Sequence, residues 1–297
     1  MILLSGGTGT PKLLRGLKEH IMPKDLSVVA NTAEDLWVSG NYVSPDVDSV
    51  LYTLCDRIDE KRWWGIKGDK SVTHDFLTMM GIKETLAVGD LDRAVHIFRS
   101  ELLRQGTKLS HATEALAAAL GVEQKVVPMT DDIVSTVIAT PVGAMHFQEF
   151  WVGRGGKPEV ESLVFVGLKE ALPSQGFLDL LDKEETVVIG PSNPVTSIGP
   201  ILALEGVRER LRDKKVVAVS PFIGDMPVSG PAARFMQAVG APASDEGVRS
   251  LLGKVDLFVV DNKSSYKGDC VRMSTLMRTK RESLRVAGKL LELIEGC

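Results

Sequence analysis

Cysteine is scarce in this chain of 297 residues. There are three, Cys55, Cys270 and Cys297, odd in number and far apart. That excludes a disulfide framework and predicts free thiols in a reducing, cytoplasmic setting. Histidine is almost as rare, and none of the five recurs at i,i+3 or i,i+4, so helical zinc spacing is missing. No apolar run approaches the roughly 20 residues of a membrane span. The apolar start, residues 1–5, has no charged region before it and is too short for a signal peptide. Basic charge is not in excess either. Lys plus Arg number 35 against 39 Asp plus Glu, a net charge of −4. A broad basic face for nucleic acid is therefore excluded.

What remains is ordinary globular composition, 44% hydrophobic and 25% charged. We expect a single α/β domain over 1–297. Residues 1–5 form a short apolar run cut by glycines, as in a buried parallel strand. Pro11 opens a helix carrying Leu13, Leu14 and Leu17. Residues 26–31 form a second buried strand, which completes a βαβ opening. Ser44-Pro45 then reads as an N-cap followed by proline at N1, with Val47, Val50, Leu51, Leu54 and Ile58 at helical spacing. Residues 91–105 predict a second amphipathic helix whose stripe is Leu91, Ala94, Val95, Phe98 and Leu102. Residues 112–120 predict a third. The stretch of about 45–125 thus reads as a helical insertion. Strands are predicted at 133–139 and 144–152, joined by a turn at 141–143, and again at 163–166, 186–190, 216–220 and 257–261. Helices at 173–182, 198–212, 230–239, 244–253 and 281–294 alternate with them. The fold expected is doubly wound α/β, Rossmann-like, with a mainly parallel sheet.

In such sheets ligands bind beyond the carboxyl ends of strands. Four polar loops stand there, and three carry candidate residues. The first is Ser5-Gly6-Gly7-Thr8-Gly9-Thr10, followed by Lys12. Its glycines let the backbone approach a phosphate, and the helix N-terminus adds amides. It lacks the Gly-Lys-Ser/Thr of a Walker loop, and Lys12 stands where a dinucleotide fingerprint needs its third glycine. A tight strand–helix turn is the plainer alternative. The second loop holds Asn31, Thr32, Glu34 and Asp35, as ligand contacts or as solvated acids. The third, Gly190-Pro191-Ser192-Asn193-Pro194-Val195-Thr196-Ser197, is stiffened by prolines and suits either hydrogen bonds to a base or ribose or the capping of a helix near Ser197. The fourth is Ser220-Pro221-Phe222-Ile223-Gly224-Asp225. Asp46 and Asp48 fit either helix capping or Mg²⁺. Asp46 reads as the more exposed, with Asp48 toward the Val47/Leu51 side. Trp63 and Trp64 fit core packing or a platform for a flat heterocycle. His74-Asp75 reads as a helix start, and Phe150-Trp151 as core within a strand.

The residues 5–14 (SGGTGTPKLL), 31–52, 61–66 (KRWWGI), 89–97, 128–132 (PMTDD), 189–202 and 218–232 resemble the 2-phospho-L-lactate transferase family of deazaflavin coenzyme F-420 biosynthesis. The resemblance runs to about residue 261. It implies transfer of a phospholactyl group, or phosphoenolpyruvate in some relatives, from a guanosine diphosphate diester. The acceptor is the ribitol hydroxyl of a deazaflavin riboside, GMP leaves, and coenzyme F-420-0 forms. On this resemblance Gly6, Gly7, Thr8, Gly9, Thr10, Lys12, Asn31, Asp35, Ser192, Asn193 and Ser197 take the nucleotide and phosphates. Asp48, Ala87, Trp63 and Trp64 take the deazaflavin. Asp46 and Asp48 are candidate Mg²⁺ ligands, and Asp48 alternatively orients the attacking hydroxyl. Ala87 departs from a longer side chain in relatives and offers only main chain. The segment 262–269 is shorter than in relatives. A homodimer is the expected assembly. The rivals are a nucleotide-sugar-binding regulator of the same superfamily and a Rossmann dehydrogenase. The latter would want an acid where the second strand ends in Asn31.

Overall fold

A computed structural model of the chain describes residues 1–228 and 231–296. It opens with β1 (Ile2–Ser5), α1 (Gly9–Leu17) and β2 (Ser27–Ala30). A hairpin follows, β3 (Leu36–Val38) and β4 (Asn41–Val43). Four helices come next: α2 (Pro45–Leu54), α3 (Val72–Met79), α4 (Asp90–Arg104) and α5 (Leu109–Ala119). After β5 (Lys125–Pro128), an antiparallel sheet is built from β6 (Ser135–Thr140), β7 (Gly143–His146) and β8 (Ser162–Val166). A π-helical turn, Glu149–Gly153, lies between the last two. Then come α6 (Gln175–Lys183), β9 (Thr186–Ile189), α7 (Ile198–Ala203), α8 (Val207–Arg210) and β10 (Lys215–Val219). The chain closes with β11 (Phe222–Ile223), β12 (Met226–Pro227), α9 (Ala232–Ala238), α10 (Asp245–Leu252), β13 (Leu257–Asp261), β14 (Val271–Met273) and α11 (Lys280–Glu295).

Seven strands form one parallel sheet in the order β5-β2-β1-β9-β10-β13-β14. Taken in chain order the sheet is wound outward in both directions from β1, the doubly wound arrangement the sequence predicts. The order reverses between β1 and β9, where Ile2 pairs with Val187. Successive side chains point to opposite faces, and both faces are covered. Leu3, Val28, Val188, Val217 and Val259 pack against α1, α2, α5 and α11. Ile2, Leu4, Val29, Ile189 and Ala218 pack against α6, α7, α9 and α10, and against Ile138 and Met145 of the antiparallel sheet. Each fully buried Leu, Val or Ile contributes roughly 1.5–3 kcal/mol.

Several elements differ from expectation. The helix from Pro45 stops at Leu54, because Asp56 takes a left-handed φ of 59° and Ile58 turns back to pair with Ile66. The helix expected over 198–212 splits, because Leu204 is extended and Gly206 is left-handed. The strand expected over 144–152 ends at His146, and Phe150 and Trp151 lie in the π-helical turn instead. Phe150 is core as expected, but Trp151 is 39% exposed. The edge strands β5 and β14 escaped the pattern, since each is short and carries few apolar residues. Position 230, where helix α9 was expected to begin, and Cys297 lie outside the described residues.

The largest difference is α4. Its expected core stripe is turned outward: Leu91, Ala94 and Phe98 are exposed, and of that stripe only Val95 is buried. The buried face is polar: Asp92, Arg93, His96, Arg99 and Ser100. The neighbours explain the orientation. The Ser100 hydroxyl accepts from the Tyr42 amide at 2.6 Å, and Arg99 donates to the Tyr42 carbonyl and to Asp48. Polar partners on β4 and α2 thus outweigh the apolar stripe.

Candidate active site

A cleft of about 510 Å³ opens at the carboxyl edge of the sheet, at the reversal between β1 and β9. Gly7, Thr8 and Gly9 form one wall and Ser192, Asn193, Thr196 and Ser197 the next. The Ser192 hydroxyl ties the two together. It accepts from the Gly6 amide (3.2 Å) and the Thr10 amide (3.3 Å) and lies 2.7 Å from the Thr10 hydroxyl. The approach is close enough to forbid side chains: a β-carbon at Gly9 would lie on the Pro191 carbonyl oxygen. The glycines are therefore required by the protein's own packing, and that same packing aims the first turn of α1 at the cleft. The Asn193 side-chain oxygen accepts from the Val195 (3.0 Å) and Thr196 (3.3 Å) amides.

The opposite side is apolar and aromatic. Trp63, Trp64, Leu86, Ala87 and Val88 line it, joined by Phe147, Gln148, Trp151 and Val152. Trp63 is buried at a left-handed φ of 61°, with the Arg15 guanidinium 4.7 Å and the Lys12 ammonium 5.4 Å from its ring centroid. Lys12 is thus engaged behind the tryptophan and does not line the cleft, and burial and Arg15 lower its pKa.

The floor is acidic. Glu34, Asp46, Asp48 and Asp92 all line the cleft, against the single cationic side chain of Arg62. Asp46 and Asp48 are both 4% exposed, which corrects the expectation that Asp46 is the freer. Their electrostatics differ sharply. Burial pushes Asp46 up to about 7, against the hydrogen bonds it accepts from Asn31 (2.9 Å) and the Gly7 amide. Burial raises Glu34 well above the carboxylate range, and the nearby Asp46 adds to it. Burial also opposes charge on Asp48, but the Arg99 guanidinium and His96 outweigh it and hold Asp48 at about 2. Arg99 grips both Asp48 oxygens, and His96 lies 3.2 Å from Asp48 and 3.2 Å from Asp92. Between these acids His96 is held up at about 9, despite burial. Tyr52 donates to Asp92 at 2.6 Å.

Asp48, Asp92 and His96 converge closely enough to share an ion. Asp48 already carries two cationic partners, whereas Asp46 and Glu34 lie together without one. Glu34 and Asp46 raise each other's proton affinity, and among the described residues no cationic side chain pairs with either.

Of the expected residues, the cleft brings together Gly7, Thr8, Gly9, Asp46, Asp48, Trp63, Trp64, Ala87, Ser192, Asn193 and Ser197. Gly6, Thr10, Lys12, Asn31 and Asp35 stand behind it. Asn31 braces Asp46 and the Thr196 carbonyl. Asp35 accepts from Ser44 at 2.7 Å, so the Ser44 hydroxyl does not cap α2 as expected. Sequence reasoning missed Asp92, Phe147, Gln148, Trp151 and the His96–Arg99 pair. Only the polar positions 92, 96 and 99 on α4, spaced at helical intervals, could have signalled them.

The fold is that of solved proteins with little sequence in common. A UPF0052-family protein of Bacillus halodurans superimposes at a TM-score of 0.55, with 20% identity, over 88% of this chain and 79% of that one. A second crystal structure from the same organism gives 0.59 at 17% identity, over 99% and 98%. Sequence relatives are much nearer. The 2-phospho-L-lactate transferase of Methanosarcina acetivorans is 53% identical over 264 residues, 89% of this chain and 86% of the relative. That of Methanosarcina barkeri is 46% identical over 305 residues, covering 100% and 97%. The profile of the family described as 2-phospho-L-lactate transferase CofD matches residues 1–288. The chain therefore belongs to the 2-phospho-L-lactate transferase CofD family and is an enzyme of that type.

Proposed function

We propose that this cleft joins a guanosine diphosphate-linked lactate, or enolpyruvate, to the ribitol hydroxyl of 7,8-didemethyl-8-hydroxy-5-deazariboflavin. The hydroxyl oxygen bonds to the phosphorus bearing the three-carbon unit. The bond from that phosphorus to the oxygen of the guanosine phosphate breaks, GMP leaves with the electron pair of that bond, the hydroxyl proton passes to the departing phosphate or to water, and coenzyme F-420-0 forms. The observation that carries this reading is the cleft's two-sidedness. A hydroxyl- and amide-rich wall at the strand reversal faces an aromatic wall, with carboxylates between them.

The glycine loop and the α1 N-terminus suit the diphosphate. Ser192, Asn193 and Ser197 suit the guanosine. Trp64, Trp63 and Ala87 suit the flat acceptor, on a helical layer over 45–125 that belongs to the same α/β domain. A polyanionic donor beside four carboxylates needs neutralising, and Asp46 and Glu34 would hold Mg²⁺ for it. When bound, the ion screens the phosphates and steadies the charge that develops on them. Asp48 is too acidic to remove a proton at neutral pH. It suits the task of accepting a hydrogen bond from the attacking hydroxyl and aligning it. A loose transition state asks for positioning more than for a base. The setting we infer is cytoplasmic; no helix of the described residues is long and apolar enough to cross a membrane.

The test is a reaction with synthetic donor and acceptor in the presence of Mg²⁺, followed by chromatography and mass spectrometry. Equimolar GMP and the deazaflavin phosphodiester are expected. Donor consumption without the diester, or release of GDP, would overturn this reading.

A further inference from the structure

The aromatic wall of the cleft carries one side chain that is polar at its tip and unpaired within the protein. Of the side chains on that wall, only Gln148 can both donate and accept a hydrogen bond. Gln148 is 5% exposed, yet its carboxamide has no hydrogen-bond partner among the described residues. Burying an amide without a partner is costly, and native structures pair nearly all such groups. The little surface that Gln148 keeps opens on the cleft it lines.

The backbone on either side of it is fixed. Phe147 and Phe150 are buried and both pack on Phe235 of α9, with ring centroids 5.8 and 5.7 Å from its own. The Gln148 amide donates to His146 Nδ1 at 3.2 Å. Beyond it the π-helical turn is closed by the Arg154 amide on the Glu149 carbonyl (2.8 Å) and the Gly156 amide on the Phe150 carbonyl (2.9 Å). A β-carbon at Gly156 would strike the Trp151 ring. The turn therefore offers the cleft a flat ring and a carboxamide from an anchored chain. Such π-helical turns frequently mark functional sites.

A carboxamide in an apolar wall suits one kind of edge. Its oxygen accepts and its NH2 group donates side by side, which matches a ring N–H next to a ring carbonyl. Both heterocycles of the proposed reaction carry that pair, the pyrimidinedione of the deazaflavin and the six-membered ring of guanine. Position decides between them. Ser192 and Asn193 lie across the cleft, whereas Gln148 shares its wall with Trp63, Trp64 and Trp151. We infer that Gln148 reads the pyrimidinedione edge of the acceptor and sets the specificity of the aromatic wall. The inference rests on the acceptor proposed above. Apolar surface alone takes any flat ring. Gln148 rejects a ring lacking the N–H, because binding it would seal the carboxamide in without a partner.

Calorimetry on the full chain, with the deazaflavin, its analogue methylated at the pyrimidinedione nitrogen, and GDP, reads the outcome. Wild type is expected to bind the methylated analogue about 10–100-fold more weakly than the parent. Gln148→Met is similar in length but makes no such hydrogen bonds. It should weaken parent binding by a comparable factor and bind the two acceptors alike, with GDP affinity retained. Its Tm should not fall, since the lost group has no partner in the protein. In turnover the acceptor KM should rise with kcat changed less than about threefold. Gln148→Glu, which accepts but cannot donate, should also bind the parent more weakly. The wild-type comparison of the two acceptors needs no variant at all. Equal binding of parent and analogue by wild type would overturn the inference and leave the acceptor reading standing. Binding of neither would overturn both. A Gln148→Met protein that still discriminates between the acceptors would place the discrimination elsewhere. Loss of GDP binding in that variant, with acceptor binding intact, would overturn the inference by moving Gln148 to the guanine.

Discussion

Replacing Asp46 by Asn separates two meanings of an acid in the first turn of a helix. If Asp46 merely complements the α2 dipole, its charge stabilises, and removing it costs about 0.3–1 kcal/mol at any pH above the carboxylate range. The surroundings argue the reverse. The carboxyl is buried beside Glu34 and pushed up to about 7. A group whose folded pKa is raised supports folding only below its unfolded pKa, and that support is lost as pH rises through the folded value. Between pH 5 and about 7, each pH unit costs about 1.4 kcal/mol. Asn cannot ionise and escapes this penalty. It gives back about 1 kcal/mol through the weakened hydrogen bonds from Asn31 and Gly7. We therefore expect Asp46→Asn, in chelator, to gain on wild type by about 3 kcal/mol between pH 5 and pH 8. Net stabilisation at pH 8 should be roughly 1–3 kcal/mol, a rise of several degrees in Tm. Added Mg²⁺ should raise the wild-type Tm more at pH 8 than at pH 5 and leave the variant's unchanged, and transfer activity should be lost in the variant. Thermal unfolding in a matrix of pH, chelator and Mg²⁺ decides the matter. An Asp46→Asn protein less stable than wild type at pH 8 in chelator would refute the reasoning and return Asp46 to helix capping.

Asp48→Asn should behave oppositely, because it strands a buried Arg99. A loss of about 3–5 kcal/mol is expected, with acceptor binding weakened and GDP affinity retained in calorimetry; an unchanged Tm would contradict the ion-pair geometry. The His96 pair should add a pH slope of its own. Its raised pKa gives stability that is complete below about 6.5 and lost as pH rises through about 9, so the wild-type Tm should fall across that window and His96→Gln should flatten the fall. GDP at about 100 times its Kd should stabilise the protein by about 2.7 kcal/mol, with ADP and UDP giving less; equal shifts would leave a phosphate site without base recognition. Trp64→Ala should raise the acceptor KM about tenfold with little change in Tm, since the ring is 42% exposed; an unchanged KM would remove Trp64 from the acceptor wall.

The parts of the site that could be read from the sequence are those where one short segment carries the whole signal. Glycines and hydroxyls directly after the buried strand β1, and the proline-braced loop after β9, each announce a ligand-facing turn locally. The strand pattern supplies the sheet that sets them side by side. The family resemblance in residues 5–14, 31–52 and 189–202 is borne out by the profile match over 1–288. Phe147, Gln148 and Trp151 gave no such signal. They reach the cleft only because the antiparallel sheet folds back over the parallel one, through a π-helical turn that apolar patterning reads as more strand. The orientation of α4 was hidden for a different reason. A periodicity argument assumes that the apolar side of a helix is the inner one, and here polar partners on Tyr42, Asp48 and Tyr52 decide otherwise.

That orientation has a consequence for how the chain reaches its native state. Rotated about half a turn on its axis, α4 would bury Leu91, Ala94 and Phe98 and release its ions to water. Hydrophobic burial alone favours the rotated state. The native one rests on a few directional bonds, among them Arg99 to Asp48, partners 51 positions apart in the chain. Such a contact forms only once α2 and the sheet are already assembled. The helix thus carries a local conflict between its apolar stripe and its polar contacts. Selection between them falls to the same side chains that line the cleft. Weakening the ion network would do more than cost stability: it would let the helix settle with the wrong side inward, in a compact chain with helical content preserved and the acceptor wall gone.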